Sequence, residues 1–385
     1  MPKYKEIYLV FPPAEEEGLA IQHGVLHFAR PERLWIFARM YQRGPSMRVA
    51  DVLSRDYDGL IGRVGWKGVA KEVASLPYPV VNVYGGEPMA GLPQVGVDDR
   101  AIGRMAAEYL MGLGFERFAF ASVISDGYAI GRAAGFREAL AEKDFKVEQC
   151  FEFNHPLRGL GQPCAHWLAN LPRPVAIFAV NDLVAEWVSE FCRVLKILIP
   201  DEVAILGTGN EWLIAESTWP PLSSIALPYE QVGYEAGAML ERLMSRRKKT
   251  KPRPPKPILL PPEGVVVRQS TDTLAIADAN LAAAVRYIRE NACNKGLAID
   301  QVADHAAVSR SVLFKLFRRH LSRTPHQEIR RVQIERAKRL LAQSHWSIDR
   351  IARECGFGRD SYLNKELKKH ANLTPGQYRK QFRRI

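Results

Sequence analysis

Cysteine is scarce in this chain, and its placement excludes more than it suggests. The five residues Cys150, Cys164, Cys192, Cys293 and Cys355 are widely spread, with no C-x-x-C pair. An odd, scattered set excludes a disulfide framework and a thiolate metal knuckle, and predicts buried free thiols in a reducing cytoplasm. Long apolar runs are also missing, since none approaches the ~18 residues of a membrane span. The start "MPKYKEIYLVF" runs straight into a strand pattern without a leader, so a cytoplasmic protein with no membrane partner is expected. No G-x-S-x-G, phosphate-loop, G-x-G-x-x-G or H-E-x-x-H pattern occurs, which argues against an enzyme. The nine histidines form no ligand spacing; His23 and His27 lie four apart and are explained by a helix face without a third ligand. Neither a metal nor a cofactor is expected.

What is present is basic charge, unevenly placed. The formal net charge is +12, yet residues 1–245 hold 23 Lys/Arg against 30 Asp/Glu, whereas residues 275–385 hold 23 against 10. A mildly acidic body with a strongly basic tail predicts that the tail binds nucleic acid.

In the body, β-branched runs such as "EIYLVF", "LWIFARM", "GLIGRV", "PVVNVYG", "RFAFASV", "VAIFAV" and "VAILGTG" alternate with amphipathic helical stretches. This pattern over ~270 residues predicts parallel sheets with helices on both faces, in two lobes, because one doubly wound sheet is shorter. Ligands of such folds sit beyond the carboxyl ends of the strands. Polar residues collect at three such ends: Arg132 in "DGYAIGRAAGF", Asn181 and Asp182 after "AIFAV", and Asn210 and Glu211 after "VAILGTG". Asn and Asp at a strand-to-helix junction are, taken singly, explained as helix caps. Together the three ends make a polyol pocket credible, because a guanidinium offers forked donors to hydroxyls while amides and carboxylates share or accept bonds. Asp98 and Asp99 are expected as caps near the crossover between lobes.

"VGVDDRAIGRMAAEYL", "GRAAGFREAL" and "FAVNDLVAEWV…ILIPDEVAILGTGNE" resemble the periplasmic-binding-protein-like effector domain of LacI-type regulators, over roughly residues 5–272. The resemblance implies that Arg132, Asn181 and Asp182 contact a bound sugar. It has one departure: Gly209 stands where that family usually places an aspartate, so Asn210 or Glu211 would have to substitute.

The tail answers to a different pattern. "SRRKKTKPRPPKP" (residues 245–257) is read as a solvated loop, with incidental phosphate contact an alternative. Beyond residues 268–280 strand signals cease. There "SRSVLFKLFRRHLSRTPHQEIR" returns fifty residues later as "RDSYLNKELKKHANLTPGQYRK", and "IDQVA" returns as "IDRIA". A duplicated helical unit follows: short helix, tight turn at Val308 or Gly356-Phe357, second helix, then a Thr-Pro pair that caps and starts another helix. In unit one, Val312, Leu313, Leu316 and Phe317 are expected to be buried. Arg310, Ser311, Phe314, Lys315 and Arg318 are expected to face outward, the layout of a helix-turn-helix reader.

This tail, over about residues 278–385, resembles the AraC-type DNA-binding domain. By matching positions the resemblance implies base-facing Arg310, Ser311, Phe314 and Lys315 in unit one, and Arg359, Asp360, Ser361, Asn364 and Lys365 in unit two. "PHQEIRRVQIERAKRLLAQ", about 28 Å long as a helix, would join units reading adjacent grooves ~34 Å apart. Leu363, Leu367 and Glu366 depart from the family pattern and predict looser packing in unit two. The expected architecture is a two-lobed α/β periplasmic-binding-protein-like domain (1–272) followed by an all-α domain with two helix-turn-helix units (278–385). This combination resembles the xylose-operon regulatory protein family. It implies a dimeric, sugar-responsive transcription regulator, usually an activator, with D-xylose as effector and double-stranded DNA and RNA polymerase as partners. A regulator answering to another small polar ligand, or a solute-binding protein, are the alternatives.

Overall fold

The computed structural model describes residues 4–11, 16–29, 34–39, 57–64, 73, 75–83, 92–123, 127–153, 161–245, 256–272, 278–294, 296–321, 323–371 and 373–382. The chain divides into two compact units, Met1–Thr273 and Leu274–Ile385. Most of the basic stretch at 245–257 lies outside the described residues.

The first unit begins with β1 (Lys5–Val10), α1 (Glu16–Ala29), β2 (Trp35–Arg39), β3 (Gly59–Gly62), β4 (Val80–Asn82) and β5 (Val95–Val97). Strands β2-β1-β3-β4 form a parallel sheet in that order. An isolated bridge from Asn82 to Gln94 leads from this sheet towards β5. The chain then crosses into a second lobe: α2 (Asp99–Gly112), β6 (Phe118–Val123), α3 (Gly127–Ala141), β7 (Val147–Phe153), α4 (Gly161–Asn170), β8 (Val175–Ala179), α5 (Asp182–Val194), β9 (Val203–Gly209), α6 (Trp212–Ser217) and β10 (Ser223–Ala226). It returns through α7 (Tyr229–Met244), which packs along α1 in the first lobe. Strand β11 (Ile258–Leu260) pairs with β5, and β12 (Gly264–Val266) goes back to the second lobe. Three passages between lobes therefore make the hinge. The second sheet runs β12-β10-β9-β8-β6-β7 and is parallel except for β12.

The element types follow from burial. Strand β8, "VAIFA", is buried along its whole length, as a central parallel strand covered on both faces must be. Strand β7 is mostly exposed, because it is the sheet's edge. Its Cys150 is solvent-exposed, a correction to the expectation of uniformly buried thiols, although all five cysteines are free. His23 meets Glu230 at 2.9 Å, and His27 lies edge-on to Tyr234. Among the described residues no cluster fits a metal ion, and no helix is long and apolar enough to cross a membrane.

The second unit contains α8 (Ala279–Asn291), α9 (Ile299–His305), α10 (Arg310–Leu321), α11 (Pro325–Gln343), α12 (Ile348–Glu354), α13 (Asp360–Ala371) and α14 (Pro375–Phe382). It has two separate apolar cores. Leu281, Ile288, Val302, Leu313 and Phe317 build one, and Ile334, Leu341, Ile351, Leu363 and Leu367 build the other. Helix α11 serves both, through Ile329 and Val332 on one core and Ile334, Ala337 and Leu341 on the other. Thr324 caps it with a reciprocal bond pair to Gln327, and Pro325 opens it, as the Thr-Pro pair foretells.

Candidate effector cleft and nucleic-acid interface

The second lobe brings its polar residues together at the carboxyl ends of β8 and β9. Arg132, on α3 and only 5% exposed, donates from Nε to Asp99 Oδ1 at 2.9 Å and from Nη1 to the Val180 carbonyl at 2.6 Å. Its guanidinium lies 4.8 Å from the centre of the Tyr128 ring. Burial works to discharge this guanidinium, but Asp99 and nearby phenols outweigh it and raise its pKa. Asp98 is the cap of α2, accepting from the Ala101 amide at 3.0 Å. Asp99 is not a cap, a correction: it is the buried counter-ion of Arg132.

Asn181 does two things. Its Oδ1 caps α5 by accepting from the Val184 amide at 2.8 Å, and its Nδ2 donates to the Tyr128 hydroxyl at 3.2 Å. Asp182 is fully buried; it accepts from Ser224 Oγ at 2.6 Å and from the Glu211 amide at 2.7 Å. Gly207 makes room for it, since a Cβ there would lie 2.2 Å from Asp182 Oδ1. At Gly209 the backbone has φ +124°, a region that disfavours any side chain, and Glu211 Oε1 lies 3.8 Å from where a Cβ would stand. The Glu211 carboxylate thus stands close to the space a side chain at 209 would enter. Asn210 points elsewhere: its Oδ1 accepts from Arg268 Nη2 at 2.9 Å, and Arg268 also pairs with Glu216 at 2.6 Å. From the first lobe and the hinge come Glu17, Arg63 and Tyr229. Burial and then Glu17 hold the Tyr229 phenol well above its usual range, against Arg132 and Arg63.

Burial also pushes the Asp182 carboxyl up to about 6, against its bonds from Ser224 and Glu211 and the charges of Arg268 and Arg132. The native fold therefore holds the Asp182 proton more tightly than the unfolded chain, whose aspartates titrate near ~4. The sensor unit should accordingly lose stability as pH rises from about 4 through 6, by ~2–3 kcal/mol from this group. Calorimetric melting of the wild type and of Asp182→Asn across that window checks this. The substitution should flatten the slope, and an unchanged slope would remove Asp182 as its source.

The candidate residues Arg132, Asn181, Asp182 and Glu211 thus form one connected set, while Asn210 is turned to Arg268. Tyr128, Asp99, Ser224, Arg268 and Tyr229 were not singled out from sequence. Tyr128 had a signal, because it stands four residues before Arg132 on one helix face. Ser224 and Arg268 come from remote strand ends and carry none.

In the second unit, α9 and α10 form one helix-turn-helix and α12 and α13 the other. Leu313, Phe317 and Leu321 seal α10 to its core. Arg310, Ser311, Lys315 and Arg318 are exposed. Arg310 lies 3.3 Å from Asp300, and Ser311 Oγ lies 3.0 Å from Ser309 Oγ. Two residues depart from the sequence-based layout. Val312 is exposed (41%) rather than buried, because the seam follows Leu313 and its i+4 and i+8 neighbours. Phe314 is half-buried and packs on the core, with its ring 6.1 Å from His326. On α13 and its approach, Arg359, Asp360, Ser361, Asn364 and Lys365 are all exposed, and so is Tyr362 (59%), at the position matching Val312. Leu363 and Leu367 are fully buried, and Glu366 is half-buried 3.9 Å from His370. The smaller apolar side chains therefore still close the second core.

The turns differ between the modules. Gly356 takes φ +78°, and a Cβ there would meet Gln333 Nε2 at 2.8 Å. Gln333 itself donates to the Ala292 carbonyl at 2.6 Å, so the second module's turn seats on a bond that ties α11 to the end of α8. The matching Ala307 holds φ +52° without glycine's freedom. Gly356→Ala should cost about 2–3 kcal/mol, from the left-handed backbone and the strained Gln333 bond together. Calorimetry of the second unit's transition reads this, and a change under about 0.5 kcal/mol would show that the turn adjusts freely.

These two units define a DNA-binding transcription regulator with a periplasmic-binding-protein-like sensor. Residues 107–271 match a periplasmic binding protein-like domain family, and residues 302–381 match a helix-turn-helix domain family. The xylose operon regulatory protein of Escherichia coli (strain K12) is 32% identical over 84% of this chain and 83% of its own length. That of Haemophilus influenzae is 32% identical over 74% of each. The solved xylose-binding transcription activator xylR superimposes with a TM-score of 0.77 at 28% identity, over 99% of both chains. The chain belongs to the xylose operon regulatory protein family, and its relatives are regulators of transcription rather than enzymes.

Proposed function

We propose that the chain is a cytoplasmic, homodimeric activator of pentose-utilisation genes that binds D-xylose between its lobes and engages RNA polymerase from DNA. Residues 1–272 are the sensor and 278–385 the reader. The observation that carries this reading is the connected set at the ends of β8 and β9. There the buried Arg132 guanidinium bonds the Val180 carbonyl, the Asn181 amide bonds the Tyr128 phenol, and the Asp182 carboxylate bonds the Glu211 amide. Such a set suits a small polyhydroxylated ligand, because each hydroxyl needs both an acceptor and a donor once it leaves water. In this reading Arg132, Asn181, Asp182 and Glu211 touch the sugar, while Asn210 supports Arg268. Arg310, Ser311, Lys315, Arg318, Arg359, Asp360, Ser361, Asn364 and Lys365 meet DNA, and half-buried Phe314 offers its ring edge to a thymine methyl. Sugar can act only through unequal affinity for the open and closed lobe arrangements.

The test is a melting-temperature screen over pentoses and hexoses, joined to mobility shift of promoter DNA with and without each sugar. D-xylose should raise the sensor's melting temperature and change the DNA shift. A different small polar ligand doing so instead would keep the architecture and change the effector. The backbone at Gly209 makes this second outcome specific, since the acidic group there comes from Glu211. No response to any sugar would defeat the reading.

A further inference from the structure

We infer that Glu16 is a clasp between the two lobes and a positioning residue for the effector cleft; the inference rests on the sensor reading above. Glu16 opens α1, which belongs to the first lobe through its packing along α7. Its carboxylate does not stay in that lobe. Oε2 accepts from the Trp212 amide at 2.8 Å and Oε1 from the Leu213 amide at 3.4 Å. These are the first two residues of α6, which follows β9 and packs on α5 in the second lobe.

Helix α6 has an unmet need that this contact fills. The first amides of a helix have no partner within it, and a side chain at the N-cap normally supplies one. Glu211 stands at the N-cap and makes no such bond. Its own amide goes to Asp182 in the same lobe at 2.7 Å. The start of α6 is therefore held by two carboxylates: Asp182 from beneath, within the effector set, and Glu16 from across the cleft. A negative group at a helix start also meets the favourable end of the helix dipole, and bonds to a charged acceptor are the stronger kind.

The consequence is energetic linkage. Glu16 can bond α6 only when the lobes stand this close, so its bonds add to the stability of the lobe arrangement seen here and to no other. A ligand that selects this arrangement gains apparent affinity in proportion to its population. Glu16 thereby tunes the sensor without touching the sugar. Its neighbour Glu17 is engaged within the first lobe, 3.4 Å from Arg63, whereas Glu16 reaches the second.

The experiment compares wild type, Glu16→Ala, Glu16→Asp and Glu16→Gln, using D-xylose and other pentoses titrated by calorimetry and amide hydrogen exchange without sugar. Exchange at Trp212 and Leu213 should quicken at least fivefold in Glu16→Ala, and this arm reads the clasp even if no sugar binds. Affinity for D-xylose should fall on the order of tenfold in Glu16→Ala and in the shorter Glu16→Asp. It should fall less in Glu16→Gln, which keeps one acceptor. The ranking of pentoses should not change. Unchanged exchange at both amides would overturn the clasp. Unchanged sugar affinity with quickened exchange would overturn its link to the cleft. A changed pentose ranking would make Glu16 a ligand contact and overturn its positioning role. Wild type that binds no sugar would instead count against the sensor reading.

Discussion

Arg132→Ala is expected to abolish the response to sugar and to cost the sensor unit about 3–5 kcal/mol. The stability loss comes from what remains. Asp99 is only 7% exposed, and without the guanidinium it is a buried charge that has lost a 2.9 Å ion pair. The Val180 carbonyl loses a 2.6 Å donor, and Tyr128 loses the cation beside its ring, worth ~1 kcal/mol. The two losses are separable. Arg132→Met with Asp99→Leu removes both charges and fills the volume, and should recover most of the stability, as apolar replacement of a buried pair often does. It should not recover sugar binding, because no donor is restored to the cleft. Differential scanning calorimetry with and without D-xylose reads both quantities. A melting temperature within a degree of wild type in Arg132→Ala would show that Asp99 relaxes to solvent. A surviving sugar-induced rise would remove Arg132 from the pocket.

Much of the sensor was legible because strands with two covered faces announce themselves. "VAIFA" and "VAILG" have no polar residue to spare, and the polar side chains that follow them are conspicuous by contrast. Three-residue strands such as β5, β11 and β12 have too few positions to show a period. The same logic divides the site. Asn181 and Asp182 open a helix at a strand end, where pattern isolates them; Arg132, expected to open its helix, instead lies in the second turn of α3. Ser224 and Arg268 reach Asp182 and Asn210 across more than forty residues of chain, and no local spacing encodes that approach. The Asp98–Asp99 pair misleads because both residues are good caps by type. Only one can bond the third amide of α2, and the other is left to project onto α3.

The tail was legible for another reason: it is written twice. The repeat marks equivalent positions, so burial learned for one copy transfers to the other. Where the reading slipped, at Val312, the cause was taking the apolar residue as the buried one. The matching residue is Tyr362, and both are exposed.

The second large effect concerns those faces. Lys315 and Lys365 stand at matching exposed positions, each on the face of its helix opposite the buried pair Leu313 and Phe317 or Leu363 and Leu367. Each single alanine variant should weaken specific DNA binding by ~1–3 kcal/mol. Each helix packs into its own core, so neither variant should disturb the other module, and the two losses should add. The double variant should then lose about 2–6 kcal/mol, roughly thirtyfold to twenty-thousandfold in affinity. The dependence on salt distinguishes the contacts. A lysine on a phosphate lowers the slope of log affinity against log salt by about one when removed, whereas a lysine on a guanine edge relaxes sequence preference at one position. Mobility shift at several salt concentrations, with each variant on the natural site and on sites mutated in either half, gives both numbers. A double variant no weaker than the weaker single would mean that only one module engages the duplex. The helix that joins them, and the Gln333 bond that seats one on the other, would then have no reading task to explain their geometry.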